Sequence, residues 1–288
     1  MPTTPNGTVY TTYPFTSSAG EACWRTVANN RLGSSKIPVM LFCHGNPGAT
    51  VTSADQQFAA GYTAQRNWLM DNGWAYIEGH GAGAGWGNSQ SRSAYEAMFL
   101  DTSQVWDLAR VIVVGRSMGA LVGSWLASQS TVVAPSCAGF VSLSGTADLS
   151  NRYSSASGSD ITNMNAAYGV SSDSQWRSAV AGFDPMLAPT GVWSSRNAQM
   201  QWDTSDGTVP YSANGQAWDL KYGPQLSLRR TIVTSGGDHN STPNNPTHAS
   251  ATISFFQDAK LSVGTRILAG YVETSVGPRK IVSYGGPQ

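Results

Sequence analysis

Residues 111–119 of the chain read VIVVGRSMG. Four β-branched residues stop at a Gly-x-Ser-x-Gly pattern, and apolar residues then recur at helical spacing in ALVGSWLA, residues 120–127. This pattern predicts a buried strand, a very tight turn and a buried helix. Gly115 and Gly119 let the helix start almost on top of the strand, so Ser117 is expected to project outward at the positive end of the helix. An ordinary N-cap serine in a strand-to-helix turn is the alternative interpretation.

The composition favours one large α/β domain. The 288 residues are enough for a sizeable core, and a formal net charge of zero gives no reason to expect nucleic acid as a partner. No apolar run approaches transmembrane length, and the first residues lack the features of a signal peptide. Cytoplasmic synthesis is therefore favoured, with a virion-associated or secreted protein as alternatives. Three cysteines cannot all pair, and we expect Cys23, Cys43 and Cys137 to be reduced.

Strands and helices alternate along most of the chain. After two short antiparallel strands, the hydrophobic pattern predicts strands at 37–43, 74–78, 111–114, 137–143, 198–202 and 227–234, and helices at 53–72, 93–109, 120–127 and 247–263. Such an alternation implies a mostly parallel sheet with helices on both faces. The working groups of such sheets lie at the carboxyl ends of the strands.

Two segments depart from this alternation. Residues 149–190 are rich in Ser, Asn and Tyr and poorly periodic, which indicates an insertion, interpreted as a small helical lid. Residues 264–288 alternate polar and apolar residues between glycines, which indicates an extended tail. The prediction is a domain over 1–263 followed by this tail, and self-association through the tail is one hypothesis.

A serine hydroxyl becomes a good nucleophile only when a base removes its proton. The chain has four histidines. His239 follows the last predicted strand in a loop, which suits a base that reaches Ser117, although a surface histidine is the alternative. We expect His44 to orient its own glycine-rich loop, His80 to line the site, and His248 to be solvated at the start of the last helix.

A carboxylate must hold the imidazole in the right tautomer and stabilise it when it is charged. Residues 203–210 read DTSDGTVP and offer Asp203 and Asp206, and residue type alone does not choose between them. Either is also compatible with an exposed turn, because Asp-Gly is a common turn pair. Asp148, shortly after the strand at 137–143, is a third candidate and is more simply read as solvated.

A developing oxyanion needs preorganised donors. The backbone N–H of Met118 is one candidate, because it points into the site from the start of the helix. The backbone N–H of Asn46, in the loop HGNPG at 44–48, is the second, with a plain β-turn as the alternative. The chain has ten Trp and eleven Tyr, and aromatic faces pack on sugars and acyl chains, so Trp86 and Trp202 are candidates for substrate contact.

The motif at 115–119, with HGNPG before it, resembles the α/β-hydrolase family of serine esterases. The order Ser, Asp, His along the chain matches that family. The family's acid sits in a pattern like Gly-x-x-Asp-x-x-Val-Pro, which residues 203–210 match with Asp206 as the acid and Asp203 in place of the glycine. The family's histidine loop resembles GGDH at 236–239. The resemblance covers about 36–263 and implies the α/β-hydrolase fold with a triad of Ser117, Asp206 and His239.

This resemblance also implies an activity. It implies hydrolysis of carboxylic esters, such as small-molecule or acylated-glycan esters, through an acyl-enzyme and without a cofactor. No cluster has metal-ligand spacing. HGNP also resembles haloalkane dehalogenases of the same fold, but those have an aspartate nucleophile where this chain has Ser117. The alternatives are a peptidase or amidase, an acyltransferase, or a binding component of a larger assembly, for example a phage tail protein acting on cell-envelope esters.

Overall fold

The structure is a computed structural model that describes residues 1–46, 57–156, 158–241 and 245–261, and three short strands within 267–280. Eight strands form the central sheet. In chain order they are β1 (Tyr10–Thr16), β2 (Ala22–Ala28), β3 (Ile37–Cys43), β4 (Ala75–Gly79), β5 (Leu108–Arg116), β6 (Cys137–Leu143), β7 (Asn197–Asp203) and β8 (Leu228–Thr234).

The strand order across the sheet is β1-β2-β4-β3-β5-β6-β7-β8. β2 pairs antiparallel with β1 and with β4, and the other neighbouring pairs are parallel. The mostly parallel central sheet predicted from the sequence is therefore confirmed. Its parallel strands end at one edge, and this is the edge where open α/β sheets carry their functional groups.

Helices cover both faces of the sheet, as predicted. In chain order the helices of the described residues are α1 (Gln57–Gly61), α2 (Thr63–Asp71), α3 (Ser89–Ser103), α4 (Gly119–Ser128), α5 (Leu149–Ser155), α6 (Ser159–Tyr168), α7 (Asp173–Val180), α8 (Ala217–Tyr222) and α9 (Pro246–Leu261). α3, α4 and α8 contribute to the core on one face, and α2 and α9 to the core on the other.

The alternation along β3 explains why the central strands are apolar throughout. Val39 and Leu41 lie in one core cluster, whereas Met40 and Phe42 lie in the other. Successive side chains of a strand point to opposite faces, so a sheet covered on both sides needs apolar residues at every position. All four side chains are fully buried.

Two helix predictions need correction. The helix predicted at 93–109 begins earlier, at Ser89, because the Asn88 side chain accepts the Ser91 N–H and caps it. It also ends earlier, at Ser103, because β5 already starts at Leu108. The helix predicted at 53–72 is divided at Tyr62 into α1 and α2, and its residues 53–56 lie outside the described residues. The short helix α8 was not predicted.

The insertion predicted at 149–190 is helical. Its helices α5, α6 and α7 bury an aromatic cluster over the edge where the strands end. Trp176 is fully buried, and its ring stacks on Tyr153 with centroids 4.4 Å apart. The same cluster contains Met118 and Leu121 of the Gly-x-Ser-x-Gly turn and α4. The lid is therefore packed directly on the predicted nucleophile turn.

Beyond α9 the described segments are three short strands. They are β9 (Ile267–Leu268), β10 (Tyr271–Thr274) and β11 (Gly277–Lys280), which pair antiparallel in a sheet of their own. The rest of the predicted tail lies outside the described residues. The domain boundary at residue 263 and self-association through the tail stay predictions.

The described ranges contain no helix that combines the length and the apolar character needed to cross a membrane.

Cys23, Cys43 and Cys137 form no disulfide, as expected. Burial raises the pKa of Cys23 to about 12 and that of Cys137 to about 11. Thiols with such pKa values are poor nucleophiles, so these side chains act as small apolar residues.

One buried charge lies on β4. Glu78 is 2% exposed, and its carboxylate accepts the N–H groups of Phe58 at 2.9 Å and Ala59 at 3.3 Å. Burial raises the pKa of Glu78 from 4.5 to about 7, against the opposing effect of these hydrogen bonds and of Arg66. The carboxylate thereby fixes the start of α1 to the sheet.

This carboxylate predicts a pH-dependent stability. Because the folded-state pKa is raised, the folded protein binds more protons than the unfolded chain between about pH 4.5 and 7, and its stability falls as the pH rises through that window. Relative to Glu78→Gln, the wild-type free energy of unfolding should fall by ~2–3 kcal/mol from pH 5 to pH 8. Urea unfolding of both proteins measures this difference, and a difference that does not change with pH would contradict the assignment.

Candidate active site

Ser117 sits in a backbone conformation that non-glycine residues rarely adopt, with a φ of +50°. The crowding around it explains why glycines flank it. A Cβ on Gly115 would lie 2.6 Å from the Cα of Ala120, and one on Gly119 would overlap the carbonyl oxygen of Cys43. The strand, the turn and the helix can approach this closely only without those side chains, so the tight turn follows from the sequence.

The neighbouring strand holds the backbone of this turn. The N–H of Ser117 donates to the carbonyl of Leu143 at 3.0 Å, and the Ser117 carbonyl accepts the N–H of Thr146 at 2.9 Å. Leu143 is the last residue of β6. The serine is 6% exposed, and both of its backbone groups are used, which stabilises the strained conformation.

The structure brings together the three side chains predicted to act together. His239 Nε2 lies 2.8 Å from Ser117 Oγ, and His239 Nδ1 lies 2.7 Å from Asp206 Oδ2. With the ring proton on Nδ1, the histidine donates to the carboxylate and accepts from the hydroxyl. The Asp206 side chain is not exposed, and that of His239 is 12% exposed. This arrangement can move a proton away from the serine.

The second oxygen of Asp206 binds its own turn. Oδ1 accepts the N–H groups of Thr208 at 2.9 Å and Val209 at 2.8 Å. Hydrogen bonds from backbone N–H groups to a carboxylate are charge-assisted and therefore strong. They hold the carboxylate in place and leave Oδ2 for the histidine.

Asp203, the other acid in this segment, is used differently. It accepts the Ser205 N–H at 2.8 Å, the Gly237 N–H at 3.1 Å and the Thr234 hydroxyl at 2.8 Å. Burial opposes ionisation, but these hydrogen bonds hold the pKa of Asp203 below its usual value. Asp203 therefore binds the backbone of the histidine loop and not the ring of His239.

A second contact joins the histidine loop to the nucleophile turn. Arg116, which precedes Ser117, donates from Nη2 to Oδ1 of Asn240 at 2.8 Å. Asn240 directly follows His239. The residues adjacent to the serine and to the histidine are thus bonded to each other, which limits how far the two can separate.

The predicted oxyanion loop lies against the nucleophile turn. A Cβ on Gly45 would lie 3.2 Å from the Cβ of Ser117. Asn46 follows, and its side-chain amide donates to Oδ1 of Asp160 in the lid at 2.9 Å. Met118, the other predicted donor, directly precedes α4. Pro47 and Gly48, the end of the predicted loop, lie outside the described residues.

Of the predicted substrate contacts, Trp202 and His80 are placed elsewhere. Trp202 is fully buried in the core, in contact with the backbone of Gly215, so it offers no surface to a substrate. His80 Nδ1 lies 2.7 Å from Glu21 Oε2, so the side chain turns toward the antiparallel strands. Its backbone carbonyl, and not its ring, faces the oxyanion loop, 2.6 Å from His44 Nε2.

Trp86 lies nearer to the site. It is 2% exposed and belongs to the lid cluster that also contains Met118 and Leu121. The guanidinium of Arg152, in the lid, lies 5.8 Å from its ring. Trp86 thus forms part of the wall between the nucleophile turn and the lid.

The remaining histidines are buried. The prediction that His248 is solvated was wrong: it is 1% exposed, with Nδ1 3.1 Å from Gln201 Oε1 and Nε2 2.9 Å from Thr234 Oγ1, because the first turn of α9 packs on the sheet. Burial lowers the pKa of His248 and of His44. His44 Nδ1 lies 2.9 Å from the Gly45 carbonyl oxygen, so the ring does pack on its own loop.

Sequence reasoning missed several residues around the site. Arg116 and Asn240 adjoin predicted catalytic residues, and this adjacency was the one available signal. Gln57 and Asp160 contact the oxyanion loop from distant segments, and no motif pointed to them. The described part of the chain contains no cluster of three His, Cys, Asp or Glu side chains suited to a metal ion.

No protein-family model and no curated protein sequence matches the chain. Similar solved structures include a Pyrococcus furiosus esterase, at 15% identity and a TM-score of 0.58, covering 87% of this chain and 93% of the esterase. A truncated carbohydrate esterase from gut microbiota has 11% identity and a TM-score of 0.67, covering 90% of this chain and 99% of its own. A puromycin hydrolase has 13% identity and a TM-score of 0.67, covering 88% of this chain.

The chain spans 40% of the length of the puromycin hydrolase. At these identities the likeness is one of fold. The chain therefore has the α/β-hydrolase fold, which confirms the expectation drawn from its Gly-x-Ser-x-Gly motif and from the order Ser, Asp, His along the chain.

The crowded turn predicts the effect of a single methyl group. Gly119→Ala places a Cβ on the carbonyl oxygen of Cys43, which is backbone and cannot turn aside, so we expect it to lower the free energy of unfolding by about 3 kcal/mol or more. Gly182→Ala is the control, because a Cβ there meets open space, and its effect should stay within about 0.5 kcal/mol. Denaturant unfolding compares them, and equal stabilities would refute the crowding argument.

Proposed function

We propose that the protein is a serine hydrolase that cleaves carboxylic esters through an acyl-enzyme intermediate. The observation that carries the proposal is the continuous hydrogen-bonded row from Ser117 Oγ through the His239 ring to Asp206 Oδ2, with separations of 2.8 and 2.7 Å. A serine held on a strained turn beside a histidine that is oriented by a carboxylate is the arrangement that activates a hydroxyl.

The mechanism follows from these contacts. Ser117 Oγ attacks the ester carbonyl carbon while its proton passes to His239 Nε2, and Asp206 stabilises the resulting imidazolium. The backbone N–H groups of Met118 and Asn46 donate to the oxyanion of the tetrahedral intermediate. The intermediate collapses, and the leaving alkoxide takes the proton from His239. Water then repeats the sequence on the acyl-enzyme, releasing the acid and restoring the hydroxyl.

Two observations bear on the substrate. The similar structures include esterases, one of them a carbohydrate esterase that this chain matches over 99% of its length. The insertion packed on the nucleophile turn also carries aromatic side chains that are only partly buried, Tyr168 and Phe183. Aromatic faces pack on acyl chains and sugars alike, so we propose a small-molecule or acylated-glycan ester as the substrate.

A peptidase or amidase is the second candidate. It is favoured by the likeness to prolyl endopeptidases, at 12% identity and a TM-score of 0.66 over 90% of this chain. Since the proposed groups would serve either substrate, rates on matched p-nitrophenyl esters and p-nitroanilides decide between them. An acyltransferase is distinguished by product analysis, because it passes the acyl group to an added alcohol in preference to water.

The proposed function predicts that two side chains account for nearly all turnover. Ser117→Ala and His239→Ala should each lower kcat/KM on p-nitrophenyl acetate by ~10⁴-fold or more, because the triad acts as a unit. A fluorophosphonate probe should label the wild type and not Ser117→Ala. Ser174→Ala, on an exposed lid serine, is the control and should behave like the wild type.

Absence of both labelling and turnover on esters and anilides in the wild type would refute the hydrolase. It would favour the remaining alternative, a binding component of a larger assembly. Unchanged activity in Ser117→Ala would refute the assignment of the nucleophile.

The two acids of the 203–210 segment should differ in kinetic effect. Asp206→Asn removes the carboxylate that holds the His239 tautomer, and we expect kcat to fall by ~10²- to 10⁴-fold. Asp203→Asn weakens hydrogen bonds to Ser205, Thr234 and Gly237 but leaves the carboxylate that bonds His239, so we expect a fall of about tenfold or less. Steady-state kinetics on one ester measures both, and a larger loss for Asp203→Asn would reverse the assignment.

A further inference from the structure

One side chain from outside the proposed triad holds the predicted oxyanion loop by two hydrogen bonds. Gln57 Oε1 accepts the N–H of Gly45 at 3.0 Å, and Gln57 Nε2 donates to the carbonyl of Gly45 at 3.1 Å. A single amide thus bonds both polar groups of the Gly45 backbone. This double contact fixes the position and the rotation of that residue at once.

The Gly45 carbonyl belongs to the same peptide group as the N–H of Asn46. A trans peptide is planar, and its C=O and N–H point in opposite directions. Holding the carbonyl oxygen of Gly45 with Gln57 Nε2 therefore sets the direction of the Asn46 N–H, the second proposed oxyanion donor. His44 Nδ1, 2.9 Å from the same oxygen, adds a further contact to that side of the peptide.

Gln57 is itself anchored to the sheet. It is the first residue of α1, and the next two N–H groups of this helix, from Phe58 and Ala59, donate to the buried carboxylate of Glu78. Phe58 is 1% exposed, and its ring lies 5.4 Å from that of Phe42 on β3. The amide that holds Gly45 is thus connected to two strands of the rigid core.

We infer that Gln57 is a positioning residue, which orients the Gly45–Asn46 peptide so that its N–H meets the developing oxyanion. This inference rests on the proposed function. Gln57 acts through the peptide and does not touch the reacting atoms. Its contribution belongs to the transition state, because the ester oxygen gains its charge only there. Loss of the two Gln57–Gly45 hydrogen bonds should therefore lower kcat and leave KM nearly unchanged.

Two substitutions distinguish orientation of the Gly45–Asn46 peptide from a role in which Gln57 only holds the loop against α1. Gln57→Leu has a similar volume and removes both hydrogen bonds. Gln57→Glu still accepts the Gly45 N–H, but its carboxylate does not donate to the Gly45 carbonyl. The proposed role predicts that both variants lose ~10- to 100-fold in kcat on p-nitrophenyl acetate, with KM within about twofold of the wild type. If Gln57 only held the loop against α1, Gln57→Glu would keep most of the wild-type kcat, because it still accepts the Gly45 N–H.

A transition-state analogue gives a readout that a merely structural role does not move. An alkyl trifluoromethyl ketone forms a tetrahedral adduct with a catalytic serine, so its inhibition constant should rise in both variants by the same factor as kcat/KM falls. Gln90→Leu, on an exposed glutamine of α3, is the control and should leave both quantities unchanged. Thermal unfolding checks that each variant is folded at the assay temperature.

Wild-type kcat and inhibition constant in folded Gln57→Leu and Gln57→Glu would overturn the inference while leaving the proposed hydrolase intact. A fall in melting temperature with unchanged kinetics would likewise assign Gln57 a structural role alone. A wild type that neither hydrolyses esters nor reacts with a fluorophosphonate would instead remove the proposed function, and the inference would fall with it.

Discussion

The constraint on which the site depends is the crowding where α4 starts against the ends of β3 and β5. The helix reaches this position only because Gly115 and Gly119 carry no side chain, since a methyl group on either would meet backbone atoms. The close approach forces Ser117 into a left-handed conformation and brings Gly45 against it. The positions of the proposed nucleophile, the start of α4 and the predicted oxyanion loop therefore all depend on the same close packing of backbone atoms, which have little freedom to move.

Hydrogen bonds between segments hold the histidine loop in place beside this turn. Asp203 holds the histidine loop to the end of β7, and Arg116 joins the nucleophile turn to Asn240. The bond from Arg116 couples the position of Ser117 to that of His239, and the bond to Asp203 fixes the histidine loop to the sheet. A catalytic arrangement gains from such coupling, because misplacement by about 1 Å costs as much as ~10²-fold in rate.

The fold and the three central side chains could be predicted because their signals are local. Residues 111–119, 203–210 and 236–239 each carry a turn whose chemistry is readable in a few letters. Burial depends on distant segments, which explains the misplaced Trp202. It ends the predicted strand at 198–202, where a side chain can reach a substrate, but the segment around Gly215 covers it. No sequence motif pointed to Gln57 or Asp160, because each contacts the oxyanion loop from a segment that is distant along the chain and is brought close only by folding.

The hydrogen bond from Asn46 to Asp160 joins the predicted oxyanion loop to the helical insertion. Asp160 belongs to α6 and also pairs with Arg152 of α5, so the carboxylate is bound on one side to the lid and on the other to the oxyanion loop. Any outward swing of α6 must break this bond or pull Asn46 with it. A displacement of α6 would therefore also release the loop that carries the Asn46 N–H. Through this one carboxylate, the insertion and the predicted oxyanion loop form a single mechanical unit.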